Sequence, residues 1–276
     1  SYKVGGKMGR NNNNITFRYK VNNDNSCTIM ELTEEFKEDK FISIPEYING
    51  HPVTEIFRRA FFENTHIERI TISKNVKKIG EGTFQGCTKL EQVYLCDSCD
   101  SINIDMYAFA GCLSLLSFQF DMISSVGIYA FSDTGLTDIC LSPKFITIPE
   151  GCFHDCNKLS SVKLEATNIA IEPLAFYGCD SLTKFDFSNV KTIGPSAFRY
   201  SGLKDIYLGE HIVEVGEKSF YNCPQLEQIE WYSSSPILYF TFGECSNLKS
   251  AKISSAVPVI EPYAFCECPK CEIEFV

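Results

Sequence analysis

The sequence has little of what nucleic-acid-binding and membrane-spanning proteins need. It has 25 Lys and Arg residues against 35 Asp and Glu residues, a formal net charge of −10, so it lacks the basic excess that binds a polyphosphate. Its apolar runs, such as Ile15 to Phe17 and Ala256 to Ile260, are far shorter than the ~20 residues of a bilayer-spanning helix. We therefore expect no nucleic acid partner and no membrane span.

The first residues also lack the apolar core of an export signal. Ser1 is followed by Lys3, Lys7, Arg10 and an Asn-rich run. The sequence is compatible with a signal that has been removed and with a chain that never had one.

Motifs of catalysis are missing too. The sequence contains neither a Gly-x-Ser-x-Gly elbow nor a Walker-type phosphate loop. Carboxylate pairs such as Glu34/Glu35 and Glu272/Glu274 are typical of solvated charge. We therefore expect no catalytic residues, no bound metal and no cofactor, and hence a protein that is not an enzyme.

What the sequence does contain is an internal repeat with a period of 22 to 25 residues, aligned on a Phe. An aliphatic residue stands five positions before the Phe in every copy, a small residue stands one position before it, and Leu or Ile follows in nine copies. Copies one to ten are centred on Phe61, Phe84, Phe109, Phe131, Phe153, Phe176, Phe198, Phe220, Phe242 and Phe265.

An apolar-x-apolar pair closes each copy, and this alternation predicts a β-strand with one buried face. The ten pairs are Ile70/Ile72, Val93/Leu95, Phe118/Phe120, Ile139/Leu141, Val162/Leu164, Phe185/Phe187, Ile206/Leu208, Ile229/Trp231, Ala251/Ile253 and Ile273/Phe275. A unit this short buries its apolar face only against its neighbours, so the copies should stack into a solenoid with a parallel sheet on one side. Acids or prolines before the Phe and Gly, Asp or Asn after it predict a short helical turn on the other side.

The segment from Ile79 to Leu90 has the form Ile-Gly-x-x-x-Phe-x-x-Cys-x-x-Leu, which resembles the BspA-like class of leucine-rich repeats. The resemblance covers roughly residues 42 to 276. It implies a leucine-rich-repeat right-handed superhelix of about ten units, and a role in adhesion, since that class occurs in surface proteins of anaerobic bacteria and mucosal protozoa. Copies four and seven depart from the form: Thr134 and Ser201 replace the Cys, with one residue deleted before the Leu, so we expect tighter stacking there.

The residues before the repeats are different in kind. Ile15–Val21 and Cys27–Leu32 alternate in polarity and are joined by an Asn-rich turn, which predicts a β-hairpin that caps the first coil. We therefore divide the chain into a flexible leader at 1–14, a capping hairpin and lead-in at 15–50, and a solenoid at 51–276.

Fourteen cysteines are present, and seven of them stand three residues after the Phe. We expect these seven to be inward-facing thiols that bond the backbone at the turn, because stacking keeps their Cβ atoms ~4.8 Å apart, beyond disulfide range. Cys96/Cys99 and Cys266/Cys268/Cys271 have zinc-like spacing, but neither has a second ligand pair in an obvious position, and the four histidines fall in different copies. The seven cysteines are Cys87, Cys112, Cys156, Cys179, Cys223, Cys245 and Cys268.

Without a catalytic motif, function is expected from the surface. The outward positions of the strands form rows of exposed side chains, and Tyr is well suited to anchor a protein or glycan there; a merely solvated face is the alternative. The candidate protein-binding residues are Tyr94, Gln119, Lys163, Asp186, Tyr207, Glu230 and Tyr232.

Two hypotheses follow for function. The first is an extracellular or cell-surface adhesion protein whose partner is a host extracellular-matrix or cell-surface protein or glycoprotein. The second is a cytoplasmic interaction scaffold, favoured by the unpaired thiols and the missing export signal.

Overall fold

Short parallel strands recur along the residues that the computed structural model describes, which are 3–5, 16–97 and 101–276. The chain divides into two units, Ser1–Gly135 and Leu136–Val276. Each unit is a parallel β-solenoid in which successive copies of the repeat form successive coils, as the sequence predicts.

The first unit has two ladders of strands. One sheet has the order β1-β2-β3-β6-β8-β10-β11, with β5 paired to β6, and the other has the order β4-β7-β9. Its strands are β1 Lys3–Gly5, β2 Phe17–Val21, β3 Cys27–Leu32, β4 Phe41–Ser43, β5 Tyr47–Ile48, β6 His51–Ile56, β7 Arg69–Ile72, β8 Lys78–Ile79, β9 Gln92–Leu95, β10 Ile102–Ile104 and β11 Ile123–Val126.

The second unit repeats this arrangement in three sheets. Their orders are β12-β14, β13-β15-β16-β18 and β17-β19-β20-β21, all with parallel pairing. The strands are β12 Asp138–Leu141, β13 Thr147–Ile148, β14 Ser161–Leu164, β15 Ile169–Ile171, β16 Val190–Ile193, β17 Asp205–Leu208, β18 Glu214–Val215, β19 Gln228–Trp231, β20 Ser250–Ile253 and β21 Glu272–Phe275.

The aliphatic column forms a second ladder that the sequence did not reveal as strand. Ile56, Ile79, Ile104 and Val126 lie side by side in the first unit, and Ile148, Ile171, Ile193 and Val215 do so in the second. An isolated parallel bridge joins Ile237 to Ile260. Most coils therefore have two short strands where one was predicted.

Two of the ten predicted strands are wrong. Residues 117–119 and 182–187 are irregular, and both segments contain a Phe-x-Phe pair. Phe118 packs edge-on against Phe109 and Phe131, and Phe185 does the same against Phe176 and Phe198. Two large rings need more room over the core than an aliphatic pair, and neither segment joins a strand ladder.

The segment around each Phe is a reverse turn with left-handed residues rather than a helical turn. The residues two before and two after the Phe have positive φ, between 49° and 74°, in all ten copies, although only five of these twenty residues are Gly. Within the described residues, helix is confined to two 3₁₀ segments outside these turns, Glu34–Phe36 and Phe120–Met122, and neither is long or apolar enough to cross a bilayer.

Hydrogen bonding explains why these turns do not become helical. In copy two the N–H groups of Gly82, Phe84 and Gly86 donate to carbonyls of the next coil at 2.7 to 3.0 Å. The N–H groups of Thr83, Gln85 and Cys87 donate to carbonyls three residues back in their own coil. Since a helix directs every N–H along its own axis, this alternation excludes one, and the predicted helical turns are not confirmed.

The Phe column forms the centre of both cores. Neighbouring rings within each unit lie 5.0 to 5.6 Å apart with interplanar angles of 6° to 21°. Nine of the ten rings are buried, as are the nine Leu or Ile residues that follow them. The register inferred from the sequence is confirmed.

The predicted hairpin is present at the start of the first unit. β2 and β3 pair antiparallel, and β3 then pairs in parallel with β6, so the hairpin adds to the first coil. Of the predicted leader, residues 3–5 form β1 against β2, and residues 1–2 and 6–14 lie outside the described residues, as does Ile15.

Copies four and seven have close backbone contacts at their deletions, and copy eight, which has no deletion, has a comparable one, where a Cβ added at Gly216 would lie 2.4 Å from the Pro195 nitrogen. An added Cβ would lie 2.4 Å from the Leu113 carbonyl oxygen at Gly135, and 2.0 Å from the Asp180 carbonyl oxygen at Gly202. Both contacts are with backbone, so glycine at these positions allows the close approach of two coils.

We expect Phe176→Ala to lower the free energy of unfolding by ~3 to 5 kcal/mol, because it leaves a cavity between two stacked rings. Chemical denaturation measures this loss. Ile146→Ala is the control, since Ile146 is 64% exposed and its truncation should cost less than ~0.5 kcal/mol. A loss below ~1 kcal/mol for Phe176→Ala would contradict the stacked core.

Candidate protein-binding face

The strand face is the outward side of the strands and segments that hold the apolar-x-apolar pairs. Of the seven predicted residues, Tyr94 and Gln119 lie in the first unit, and Lys163, Asp186, Tyr207, Glu230 and Tyr232 lie in the second. Five are exposed, whereas Glu230 and Tyr232 are half-buried. The structure brings them together in local groups that differ in charge.

The group around Tyr94 is uncharged. The Tyr94 hydroxyl donates to Gln92 Oε1 at 2.5 Å, and Gln119 Oε1 accepts from the Leu95 N–H at 3.3 Å. A depression of about 260 Å³ is lined there by Gln92, Val93, Tyr94, Ser117, Phe118 and Gln119. Its chemistry is that of amide and hydroxyl groups beside a ring.

Lys163 and Asp186 have partners on their own chain. Lys163 Nζ lies 2.8 Å from Glu165 Oε1, and this hydrogen bond raises the pKa of Lys163 and lowers that of Glu165. Asp186 Oδ1 accepts from the Ser188 N–H at 2.9 Å. Each side chain therefore makes one local contact and keeps further donor or acceptor capacity for a partner.

Tyr207 and Tyr232 form the largest exposed feature among the predicted residues. β17 and β19 pair with Tyr207 opposite Glu230, and the same register, continued by two residues, places Tyr232 opposite Gly209. The two rings lie 5.6 Å apart with a tilt of 49°, and Tyr207 is 59% exposed. Gly209 has no side chain to separate them.

Carboxylates surround this pair of rings. A depression of about 850 Å³ is lined by Tyr207, Gly209, Glu210, His211, Glu230 and Tyr232. Asp205 and Glu230 line a second depression that also includes Tyr207. Among the ion pairs of the described residues, none includes Asp205, Glu210 or Glu230. Two lysines lie near them: Lys184 also lines the second depression, and Lys252 lies opposite Glu230 across β19 and β20.

Sequence reasoning missed a row of aromatic rings on the turns of the second unit. Tyr177, Tyr200, Tyr221, Phe240 and Tyr263 contact one another in that order, with centroids 5.2 to 6.3 Å apart. Each lies within two residues of a column Phe, which is the signal that would have revealed the row.

Residues of the same chain already contact rings in this row. The Arg199 guanidinium lies 4.7 Å from the ring centroids of both Tyr200 and Tyr221, and its Nη2 donates to the Tyr200 hydroxyl at 2.8 Å. The Tyr221 hydroxyl donates to Glu244, which raises the pKa of Tyr221 to about 12. The row therefore covers the turns, and only Tyr263 at its end is strongly exposed.

The cysteine column bonds the backbone, as predicted. Six of its thiols donate to the carbonyl of the Phe one coil back, at 3.0 to 3.2 Å; these are Cys87, Cys112, Cys179, Cys223, Cys245 and Cys268. Burial raises the pKa of Cys87 to about 12 and that of Cys112 and Cys179 well above the ordinary value. Cys87, Cys112 and Cys179 are therefore protonated at neutral pH and serve as packing groups.

The structure describes Cys96 of the first zinc-like motif and all three cysteines of the second. Cys99 lies outside the described residues. Cys268 belongs to the bonded column, and Cys266 and Cys271 are half-buried beside it. In residues 16–97 and 101–276, no three His, Cys, Asp or Glu side chains are placed to hold a metal ion.

The family comparison agrees with the repeat register. Residues 13–121, 100–198 and 169–275 match the model described as BspA type leucine rich repeat region, in six copies. No curated protein matches the chain.

Several solved structures share the fold. A leucine-rich repeat protein from Bacteroides ovatus is 24% identical, with a TM-score of 0.62, over 93% of this chain and 79% of that one. A leucine rich cell surface protein from Faecalibacterium prausnitzii is 22% identical, with a TM-score of 0.55, over 94% and 93%. The pneumococcal vaccine antigen PcpA is 15% identical, with a TM-score of 0.58, over 99% and 94%.

We expect the stability of the column to depend on pH with a definite sign. The pKa of Cys87 rises from 9.0 to about 12 on folding, so between these values the unfolded chain loses a proton that the folded chain keeps. The contribution of the Cys87 thiol to the free energy of unfolding is fully present below pH 9. It falls by about 1.4 kcal/mol per pH unit between pH 9 and pH 12. The destabilisation by Cys87→Ala, measured by urea denaturation, should therefore shrink by about 1.4 kcal/mol between pH 8 and pH 10.

Thr134 is the matched control, because it occupies the same column and its hydroxyl bonds the Phe131 carbonyl at 2.9 Å without titrating. Thr134→Ala should cost the same at both pH values. An equal cost for Cys87→Ala at pH 8 and pH 10 would show that its thiol is not buried as described.

Proposed function

The chain belongs to the BspA-type leucine-rich repeat family, and from that premise we propose that it is a non-enzymatic module that binds a protein through its strand face. The observation that carries the proposal is the Tyr207–Tyr232 pair, in which Tyr207 is 59% exposed and the rings lie 5.6 Å apart. Exposed aromatic side chains on a rigid support are the usual anchors of a protein interface.

The strand face supplies that rigid support. β17, β19, β20 and β21 are paired in one parallel sheet, and the inward residues Ile206, Leu208, Ile229 and Trp231 are buried. The outward side chains therefore have a fixed spacing before a partner arrives, which lowers the entropic cost of binding.

The proposed setting is the cell surface or the extracellular space, with a host or neighbouring-cell protein or glycoprotein as the partner. The support is family membership and the fold shared with a Faecalibacterium prausnitzii protein described as a cell surface protein. In that setting the module acts in adhesion.

A cytoplasmic interaction scaffold is the second candidate, because the column thiols donate hydrogen bonds to carbonyls as reduced cysteines do. The two candidates use the same face and differ in compartment. Biotinylation of intact source cells with a membrane-impermeant reagent separates them: labelling supports the surface module, and labelling only after lysis supports the scaffold.

We expect the Tyr207→Ala/Tyr232→Ala double variant to keep its melting temperature and to lose at least ~2 kcal/mol of affinity for its partner, if the two rings are hot spots. The partner is first identified on a panel of purified extracellular-matrix and cell-surface proteins, and affinity is then measured by surface plasmon resonance. Circular dichroism gives the melting temperature.

Tyr177→Ala/Tyr200→Ala is the control on the turn side, with rings in contact at 5.2 Å. It should leave the affinity unchanged. If this control loses affinity and the strand-face variant does not, the binding surface is the aromatic row of the turns.

A further inference from the structure

The Tyr207–Tyr232 pair has the ring faces and carboxylates of a cation site. Glu210, His211 and Glu230 line the larger depression together with both rings, and Lys184, Asp205 and Glu230 line the neighbouring one together with Tyr207. In the part of the chain that the structure describes, the Lys and Arg side chains that lie over rings cover other aromatics, not these two.

At other aromatic rings of the chain, an arginine of the same chain lies over the ring. Arg69 lies 5.2 Å from the ring centroid of Phe41, Arg59 lies 5.0 Å from that of Phe62, and Arg199 lies 4.7 Å from two tyrosine rings. The strand-face tyrosines differ from the Arg199 site in two respects: no Lys or Arg of the described residues lies over their rings, and Glu210 and Glu230 line the same depression as the rings.

We propose that this region, the tyrosine site, binds an arginine side chain of the partner protein. The proposal rests on the proposed function of the strand face and names the chemistry that its second unit recognises. The guanidinium stacks on the tyrosine rings while its N–H groups donate to the carboxylate of Glu230, which lies opposite Tyr207 across β17 and β19.

Charge favours a cationic group over a neutral or anionic one. Carboxylates without an ion pair attract a cation and repel an anion, and an aromatic face presents negative charge density to it. A neutral glycan gains from the rings but not from the carboxylates. The three carboxylates outnumber the two lysines beside them, Lys184 and Lys252, so the charge of the site favours a basic partner.

Shape favours arginine over lysine. The tilt of 49° between the rings gives two faces that a flat group can contact, and a guanidinium is planar with donors along its edge, whereas an ammonium is a compact point charge. The depression of about 850 Å³ has room for one such side chain.

The Tyr94 group supplies an internal control. It also presents an exposed tyrosine, 48% accessible, but its neighbours are Gln92, Ser117 and Gln119 and no carboxylate lines the depression. The Tyr94 depression therefore offers an aromatic ring without carboxylates, whereas the tyrosine site offers rings together with carboxylates.

The test uses the full chain and three acetylated, amidated peptides in which two arginines, two citrullines or two lysines alternate with glycine. Citrulline keeps the planar shape of arginine and removes its charge. Isothermal titration calorimetry measures the dissociation constants, with chemical shift changes of the tyrosine rings to locate binding. We expect the arginine peptide to bind at least about fivefold more tightly than the citrulline peptide, more tightly than the lysine peptide, and less tightly as salt increases.

Variants assign the binding to the tyrosine site. Tyr207→Ala/Tyr232→Ala should weaken the arginine peptide by about fivefold to thirtyfold, and Glu230→Gln should weaken the arginine peptide more than the citrulline peptide. Tyr94→Ala should have no effect on either peptide.

Equal binding of the arginine and citrulline peptides, a loss with Tyr94→Ala as large as with the double variant, or no binding at millimolar peptide would overturn the arginine site. Those results leave the proposed function standing if the double variant still loses its protein partner. The opposite result is also informative. If the arginine peptide binds at the tyrosine site but the double variant keeps its affinity for the protein partner, the strand face is not the partner surface, and the arginine site still stands.

Discussion

The hydrogen bonds between one turn segment and the next set the spacing on which each unit depends. They exist because the residues on both sides of the column Phe take a left-handed conformation, which turns alternate N–H groups toward the neighbouring coil. For a residue other than glycine, this conformation costs roughly 1 to 2 kcal/mol. Fifteen such residues adopt it, so the stacking of the coils has to offset a considerable strain.

The Phe column provides much of that compensation. Parallel strands lie ~4.8 Å apart, and the rings of successive coils are 5.0 to 5.6 Å apart, so one coil spacing satisfies the backbone and the aromatic stack together. The thiol of the column Cys then uses the remaining capacity of the Phe carbonyl one coil back. The outward side chains of the strands do not pack in this core, and they are available to contact a partner.

The sequence predicted the features that depend on side-chain identity within one coil. The Phe, aliphatic and Leu columns gave the register, the alternating run at Ile206/Leu208 gave a strand, and the missing residue before Leu203 gave the tight contact at Gly202. The neighbouring rings of Tyr207 and Tyr232 also followed from the register, because it places Tyr207 opposite Glu230 and Tyr232 diagonally beside it, opposite Gly209.

What the sequence did not predict depends on the neighbouring coil. Nothing in the identity of Leu174 or Lys218 indicates positive φ; the conformation occurs together with hydrogen bonds to the neighbouring coil, which one coil alone cannot form. The strand at Ile169–Ile171 is three residues long and is defined by its partners, and the Phe185/Phe187 pair alternates like a strand but is displaced by the size of its rings. The charge of the tyrosine site likewise arises from Glu230 and Glu210, which are twenty positions apart in different coils and come close only in the stack.

The parallel ladders also determine how either unit responds to tension. Their hydrogen bonds run from coil to coil, so a pull along the stack strains the bonds of the terminal coil first and opens them in sequence, as in a zipper. Each coil that detaches releases about 22 residues, or roughly 75 Å of extended chain, while the coils behind it keep their contacts. A partner held on the strand face would therefore be tethered by a chain that lengthens in discrete steps under load, with the remaining coils still folded.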